Sequence, residues 1–384
     1  MTKTRFGAIL LVLGSLFLTA GCERTQTTQL GYRGLGLVQN ARPAAAAALE
    51  AANVVPKPLK AANPEGPRAG EFYENVQVLG DYSKSEFART MASFKNWVAP
   101  EEGCGFCHNA PNYADDSKYT KRVAREMIRM TRHINTDWKQ HVAETGVTCY
   151  TCHRGKPVPE RVWFSPSPEV LRGAVRTQAN VPLPTASAGR TGLPTDALTN
   201  FLLDHQEIRV IGTNALQNGN HRSIKQAKYT YAMMMVMSES LGVNCDYCHN
   251  TRAFYSWDQS RPQRATAWYG IRMARDLNNT VMVPLTNVLP VGRLGPSGDV
   301  PKIYCATCHQ GVFKPLYGVS MVKDFPELIH SKTPDYVGGP PKAEADTAPE
   351  NSPAPTGATP TAPAPGQKST QLDPAPQHMG APPG

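Results

Sequence analysis

The chain has 384 residues, with 40 Lys and Arg against 31 Asp and Glu for a formal charge of +9, and contains nine Cys, ten His and 34 Pro. Its only long apolar run is at the N-terminus, which excludes a polytopic membrane protein. The basic excess alone would point to nucleic acid or an anionic surface, a reading that the cysteine pattern removes.

Lys3 and Arg5 precede fifteen mostly apolar residues from Phe6 to Ala20. That length suits a secretory signal and falls short of the roughly 20 residues a spanning helix needs. The run closes with Leu18-Thr19-Ala20-Gly21-Cys22, the form of a lipobox. Residues 1–21 are therefore expected to be a signal peptide, with Cys22 left as a lipidated N-terminus that anchors the chain through acyl chains. Residues 22–75 are rich in Ala, Pro and Gly, with an Ala run at 44–48. They read as an arm leading from the anchor and draping over a partner or over the domain itself.

Apolar residues at helical spacing predict helices at Ser83–Trp97, Tyr119–Asn135, Ile224–Leu241 and Arg264–Asn279. Each precedes a loop with the same motif: Cys104-Gly-Phe-Cys107-His108, Cys149-Tyr-Thr-Cys152-His153, Cys245-Asp-Tyr-Cys248-His249 and Cys305-Ala-Thr-Cys308-His309. The first two motifs fall in residues 76–160 and the last two in 226–335, with a connector at 161–225 that is introduced and opened by Pro157, Pro159, Pro166 and Pro168. From Gly338 to Gly384 there are twelve Pro in 47 residues and no Phe, Tyr or Trp. Such a segment buries too little apolar surface to offset its ordering entropy, so 336–384 is expected to be a disordered tail.

Cys-x-x-Cys-His is the attachment site of c-type haem: the thiols form thioethers with the vinyl groups and the histidine ligates the iron. Zinc ribbons and disulfides also use Cys-x-x-Cys, but neither requires the histidine. With ten His in the chain, the chance that all four pairs are followed by one is under about one in a million. Four covalently bound haems are expected, and Cys22 is the cysteine left over. Their propionates are expected to offset the basic excess and pair with Arg and Lys, so the charge does not support nucleic-acid binding.

The two halves repeat. Sites one and three share Cys-x-x-Cys-His-Asn, with Asn109 and Asn250, and sites two and four share Cys-x-Thr-Cys-His-x-Gly, with Thr151, Gly155, Thr307 and Gly311. Ile128-Arg129-Met130-Thr131-Arg132 matches Ile271-Arg272-Met273-Ala274-Arg275. The expected fold is mainly α with long loops, a multihaem cytochrome c of two dihaem repeats related by a pseudo-twofold. If sites two and four meet at the axis, the spatial order is one, two, four, three.

A sixth ligand separates a carrier from a haem enzyme, because catalysis at iron needs an open position. Met91 and Met234 lie on helices just ahead of haem sites one and three, although spacing does not separate Met234 from Met233 or Met235. For sites two and four, two schemes stand. In one, Met130 and Met273 serve them symmetrically. In the other, Met127 serves haem two, Gly270 stands in the matching place, and His141 from the first repeat serves haem four. His141 lies fourteen residues beyond Met127, about 21 Å along a helix that continues. His133 is the rival imidazole, or else a surface or propionate-bonding residue.

Glu86-Phe87-x-Arg89-Thr90-Met91, Trp97-Val98-x-Pro100-x-Glu102-Gly103-Cys104, Asn135-Thr136-x-Trp138-x-Gln140-His141-Val142, Thr145-Gly146-Val147-Thr148-Cys149 and Pro262-Gln263-Arg264-Ala265 with Trp268-Tyr269-Gly270-Ile271-Arg272-Met273 carry a resemblance. Over roughly residues 72–330 the chain resembles the tetrahaem cytochrome c subunit of purple-bacterial photosynthetic reaction centres. The resemblance implies His108 and Met91 on haem one, His153 and Met127 on haem two, His249 and Met234 on haem three, and His309 and His141 on haem four. It also implies electron transfer without enzymatic catalysis. Electrons would pass from a soluble cytochrome c or high-potential iron–sulfur protein to the photo-oxidised bacteriochlorophyll pair. The partners would be the L and M subunits, with H in the complex, at the periplasmic face of the bacterial inner membrane. A multihaem periplasmic reductase is the main alternative and would leave one iron open; a tetrahaem quinol dehydrogenase would need a spanning helix. Glu101, Glu102, Asp115 and Asp116 surround the first motif and read as an acidic docking patch for a basic donor.

Overall fold

The computed structural model describes residues 24–29, 38–165, 193–194, 196–210 and 223–329. The signal peptide, Cys22, the tail and most of the connector lie outside these residues. Among the described residues the chain is helical with one two-stranded sheet, β1 (Gln26–Gln29) and β2 (Val38–Ala41), antiparallel with Gln26 opposite Ala41. The helices are α1 (Pro43–Ala52), α2 (Ala69–Phe72), α3 (Lys84–Val98), α4 (Tyr119–Asp137), α5 (Lys139–Val142), α6 (Cys149–His153), α7 (Thr199–Leu202), α8 (Ile224–Leu241), α9 (Gln263–Leu277) and α10 (Cys305–His309). None is long and apolar enough to cross a membrane.

Two of the long helices, α3 and α8, start at capping boxes. Ser83 Oγ accepts from Glu86 N at 3.1 Å, while the Glu86 carboxylate takes the Ser83 N–H at 2.8 Å. Ser223 and Gln226 close the same box at the start of α8. Each satisfies two otherwise orphaned donors, and losing such a cap costs about 1 kcal/mol. Helix α4 ends at Asp137, two residues beyond the predicted end, because Trp138 leaves helical geometry (φ −111°, ψ 32°) before the single turn of α5. The continuous helix from Met127 to His141 is therefore broken one turn before His141.

Three apolar clusters hold these elements together. Val78, Leu79, Trp97, Ile128 and Phe325 form the first, with the Trp97 and Phe325 rings edge to face at 4.6 Å. Met130, Ile134, Val147, Leu277, Val281 and Ile303 join α4 to α9 in the second. Trp163, Phe201, Leu202, Met233 and Ile271 make the third, which draws the described parts of the connector into the core.

Equivalent residues of the two halves make equivalent bonds. Asn135 Nδ2 donates to Val147 O at 3.0 Å and Asn135 Oδ1 accepts from Val147 N at 2.7 Å. Asn278 does the same to Ile303, at 2.9 and 2.8 Å. Each asparagine thus clamps the residue two places before a haem-motif cysteine. Gly155 N donates to Trp97 O and Gly311 N to Ser240 O, both at 2.8 Å. Gly242 ends α8 with φ +63°, and a Cβ there would lie 2.0 Å from Gly311 O, so only glycine allows this approach.

The arm lies on the domain itself. Gln39 donates to Gly242 O and accepts from Asn244 N beside the third motif. Tyr150 and Arg154 of the second motif's segment reach Val54 O and Asn53 Oδ1, and Arg89 donates to Leu59 O.

Candidate haem-binding sites

In each motif the backbone brings cysteine and histidine together within one turn, α6 and α10 for the second and fourth, a 3₁₀ turn for the first and third. All four histidines are held alike. Nδ1 lies 3.1 Å from Tyr113 O for His108, 2.9 Å from Lys156 O for His153, 3.2 Å from Phe254 O for His249 and 3.0 Å from Val312 O for His309. A carbonyl only accepts, so Nδ1 carries the proton and the Nε2 lone pair is left for a metal. Burial lowers the proton affinity of all four and pushes His309 down to about 4. Neutral imidazoles are what ligation requires.

Burial pushes Cys107, Cys248 and Cys305 up to about 11 and Cys149 up to about 12. Among the described residues no three His, Cys, Asp or Glu converge on a metal cage. Cys152 and Cys308 meet where α6 packs on α10, with Cα atoms 4.3 Å apart, and are joined as a disulfide. Both are the second cysteines of their haem motifs, so the second and fourth motifs lie side by side.

Most informative is His141. Its ring lies 6.0 Å from that of His309, centre to centre. Its Nδ1 is 2.9 Å from Thr266 O, so it too presents Nε2. Burial lowers its proton affinity. The ring rests on Gly270 of α9, where a Cβ would come within 2.5 Å of Cε1. Gly270 matches Met127 of the first half, and sequence reasoning saw there only a missing ligand; the structure adds that the missing side chain makes the space for the ring. Thr266, which acts through its carbonyl, left no signal in the sequence.

The rival His133 is neither at the surface nor free for ligation. It is 2% exposed, with Nδ1 2.6 Å from Asp137 and Nε2 2.6 Å from Asp276. Burial opposes its charge, but hydrogen bonds to Asp276 and Asp137 outweigh that, and its pKa is raised above the ordinary 6.5. A proton held more tightly in the folded state gives stability that is complete below about 6.5 and is lost as pH rises through the higher folded value. His133→Leu should flatten this slope in a thermal-melting series from pH 6 to pH 9.

The methionines divide by burial. Met233 is fully buried in the third cluster, whereas Met234 packs against that cluster only partly buried, as does Cys305. Met130 is a buried member of the second cluster, with Met127 and Met273 packed against it. Met91 packs partly buried against the first cluster, as do Cys149 and Tyr150. Of the acidic patch, Glu101 and Glu102 are exposed, but Asp116 is bound at 2.9 Å by both Lys121 and Arg125.

A mainly helical chain with neutral, carbonyl-held histidines after paired cysteines belongs to the c-type cytochromes. The family described as photosynthetic reaction centre cytochrome C subunit matches residues 21–329, and the chain belongs to that family. It is 50% identical over 328 residues to the photosynthetic reaction center cytochrome c subunit of Rubrivivax gelatinosus, covering 84% of this chain and 89% of that one. It is 47% identical over 343 residues to the subunit of the same name from Thermochromatium tepidum, covering 88% and 84%. Cytochrome c-554 of Chloroflexus aurantiacus is more distant, 24% identical over 318 residues, covering 67% of this chain and 74% of that one.

Proposed function

We propose that this electron-transfer subunit of a photosynthetic reaction centre holds four haems, all closed to substrate by two protein ligands. The observation that carries the reading is the His141–His309 pair. The rings stand 6.0 Å apart, each with Nδ1 on a backbone carbonyl and Nε2 left over, so His141 and His309 would together hold the iron of haem four, which would supply the electron. With Gly270 cradling the ring and His133 engaged elsewhere, this favours His141 on haem four over the symmetric Met130 and Met273 scheme. Met127 then serves haem two, Met91 haem one, and Met234 haem three, the last favoured over Met233 by its lower burial.

Bound haem supplies one reversible electron at each site; the chain's residues fix its orientation, its axial field and its insulation from water. Two dihaem repeats about a pseudo-twofold are supported by self-equivalent contacts. Such contacts are the mark of an isologous interface. His133 and Asp276 occupy matching positions and bond to each other, and matching Cys152 and Cys308 also meet. The contact between the second and fourth motifs supports the order one, two, four, three. Haem three is then terminal, facing the L and M subunits and the bacteriochlorophyll pair, while a soluble cytochrome c or iron–sulfur protein refills the other end. A multihaem reductase is disfavoured because haem four, which has no methionine at position 270, is closed by His141.

Haem determination on the purified complex tests the count. Four haems per chain and no binding of exogenous ligand is the expected result; one haem that binds carbon monoxide without any substitution would favour the reductase.

The lipobox supports a Cys22 anchor at the periplasmic face. Cys22→Ala should keep its haem but wash off membranes that lack the reaction centre, as read by fractionation. At the first motif, Glu101 and Glu102 are the carboxylates with exposed charge. Changing both to Gln should slow re-reduction by a basic cytochrome several-fold at low salt and little at high salt, where charge is screened.

A further inference from the structure

His141 is carried on a single helical turn, which cannot hold itself in one orientation. Its support comes through Trp138, whose carbonyl accepts from His141 N at 2.9 Å and from Val142 N at 3.1 Å. Trp138 is also the residue that ends α4. Its indole Nε1 lies 3.0 Å from Asp276 Oδ2, and His133 Nε2 lies 2.6 Å from the same oxygen. The indole nitrogen is also 3.2 Å from His133 Nε2. That imidazole nitrogen points its own proton at Asp276, so the carboxylate is the indole's acceptor. Asp276 sits on α9, the helix that also supplies Thr266 O and Gly270 to the His141 ring. One helix of the second half therefore holds the backbone behind His141 and the ring itself.

We propose that Asp276, acting through the Trp138 indole and fixed by His133 and thereby by Asp137, is a positioning residue that aims His141 at the fourth motif. This rests on His141 being the sixth ligand of haem four. It assigns a use to a buried carboxylate and a half-buried indole that the four motifs leave unexplained. The two helices cross at equivalent positions, His133 in one half and Asp276 in the other, so the asymmetric pair stands where a symmetric duplication would have placed two identical residues.

The test uses the assembled complex with haem bound and reads spin state by low-temperature EPR and potentials by redox titration. Three variants are compared: Trp138→Phe, which keeps the ring and removes the donor, Asp276→Asn, and His141→Ala as the reference. The first two should retain full haem content and three unchanged haems. The fourth haem should become partly high-spin, shift its potential, bind added cyanide, and return to low-spin with added imidazole. Four low-spin haems with unshifted potentials in both variants, beside an opened haem four in His141→Ala, would overturn the positioning role alone. If His141→Ala leaves haem four six-coordinate, the ligand assignment falls and this proposal with it. Should Asp276→Asn lose haem throughout, Trp138→Phe decides by the same criteria.

Discussion

His141→Met is expected to raise the midpoint potential of one haem, the one on His309, and leave the other three unchanged. A thioether stabilises the reduced iron relative to a second imidazole. The shift should be on the order of 0.1 V, a fraction of the roughly 0.8 V that axial ligands span. Methionine is unbranched and adapts to irregular space, and the cradle at Gly270 has no Cβ to obstruct it. A titration resolved haem by haem reads the outcome. A shift in haem two, or in none, would show that His141 does not serve haem four.

Gly270→Ala should have nearly the opposite character, a large local effect from one methyl group. Alanine in a helix interior is ordinarily better than glycine by about 1 kcal/mol. Here its Cβ would lie 2.5 Å from His141 Cε1 and 2.8 Å from Nδ1, closer than packed atoms come. The ring is rigid and pinned to Thr266 O at 2.9 Å, so it must swing out or α5 must move. Haem four should lose its sixth ligand in a sizeable fraction of molecules, with a high-spin signal and a shifted potential. A variant that merely melts a few degrees higher, with all haems low-spin, would mean that the glycine does not make room for a ligand.

Much of this was legible in the sequence, for physical reasons that can be named. Covalent haem attachment needs a fixed local spacing, so the four motifs stand out without any fold. Two of the four long helices, α3 and α8, begin at serine capping boxes, and α8 runs from Ile224 to Leu241 as the periodicity predicts. What was not legible depends on contacts between the halves. Nothing local to His133 says that Asp276 waits 143 positions away, so the side chain reads as a rival ligand, or as a surface or propionate-bonding histidine, until the helices cross. The same is true of Asp116, an apparent docking charge that Lys121 and Arg125 take up. The break at Trp138 was hidden because no Pro or Gly marks it; tertiary bonds to α9 offset the lost helical turn. Gly270 was visible opposite Met127 in the repeat, but its meaning required seeing which ring fills the gap.

This chain is expected to deliver electrons to the photo-oxidised pair of a reaction centre. Flash spectroscopy on membranes with the haems reduced beforehand tests it most directly. After a single flash the pair should recover in step with the loss of a reduced c-type haem band, one haem oxidised per pair re-reduced. Recovery of the pair by charge recombination, with every haem still reduced, would contradict the account.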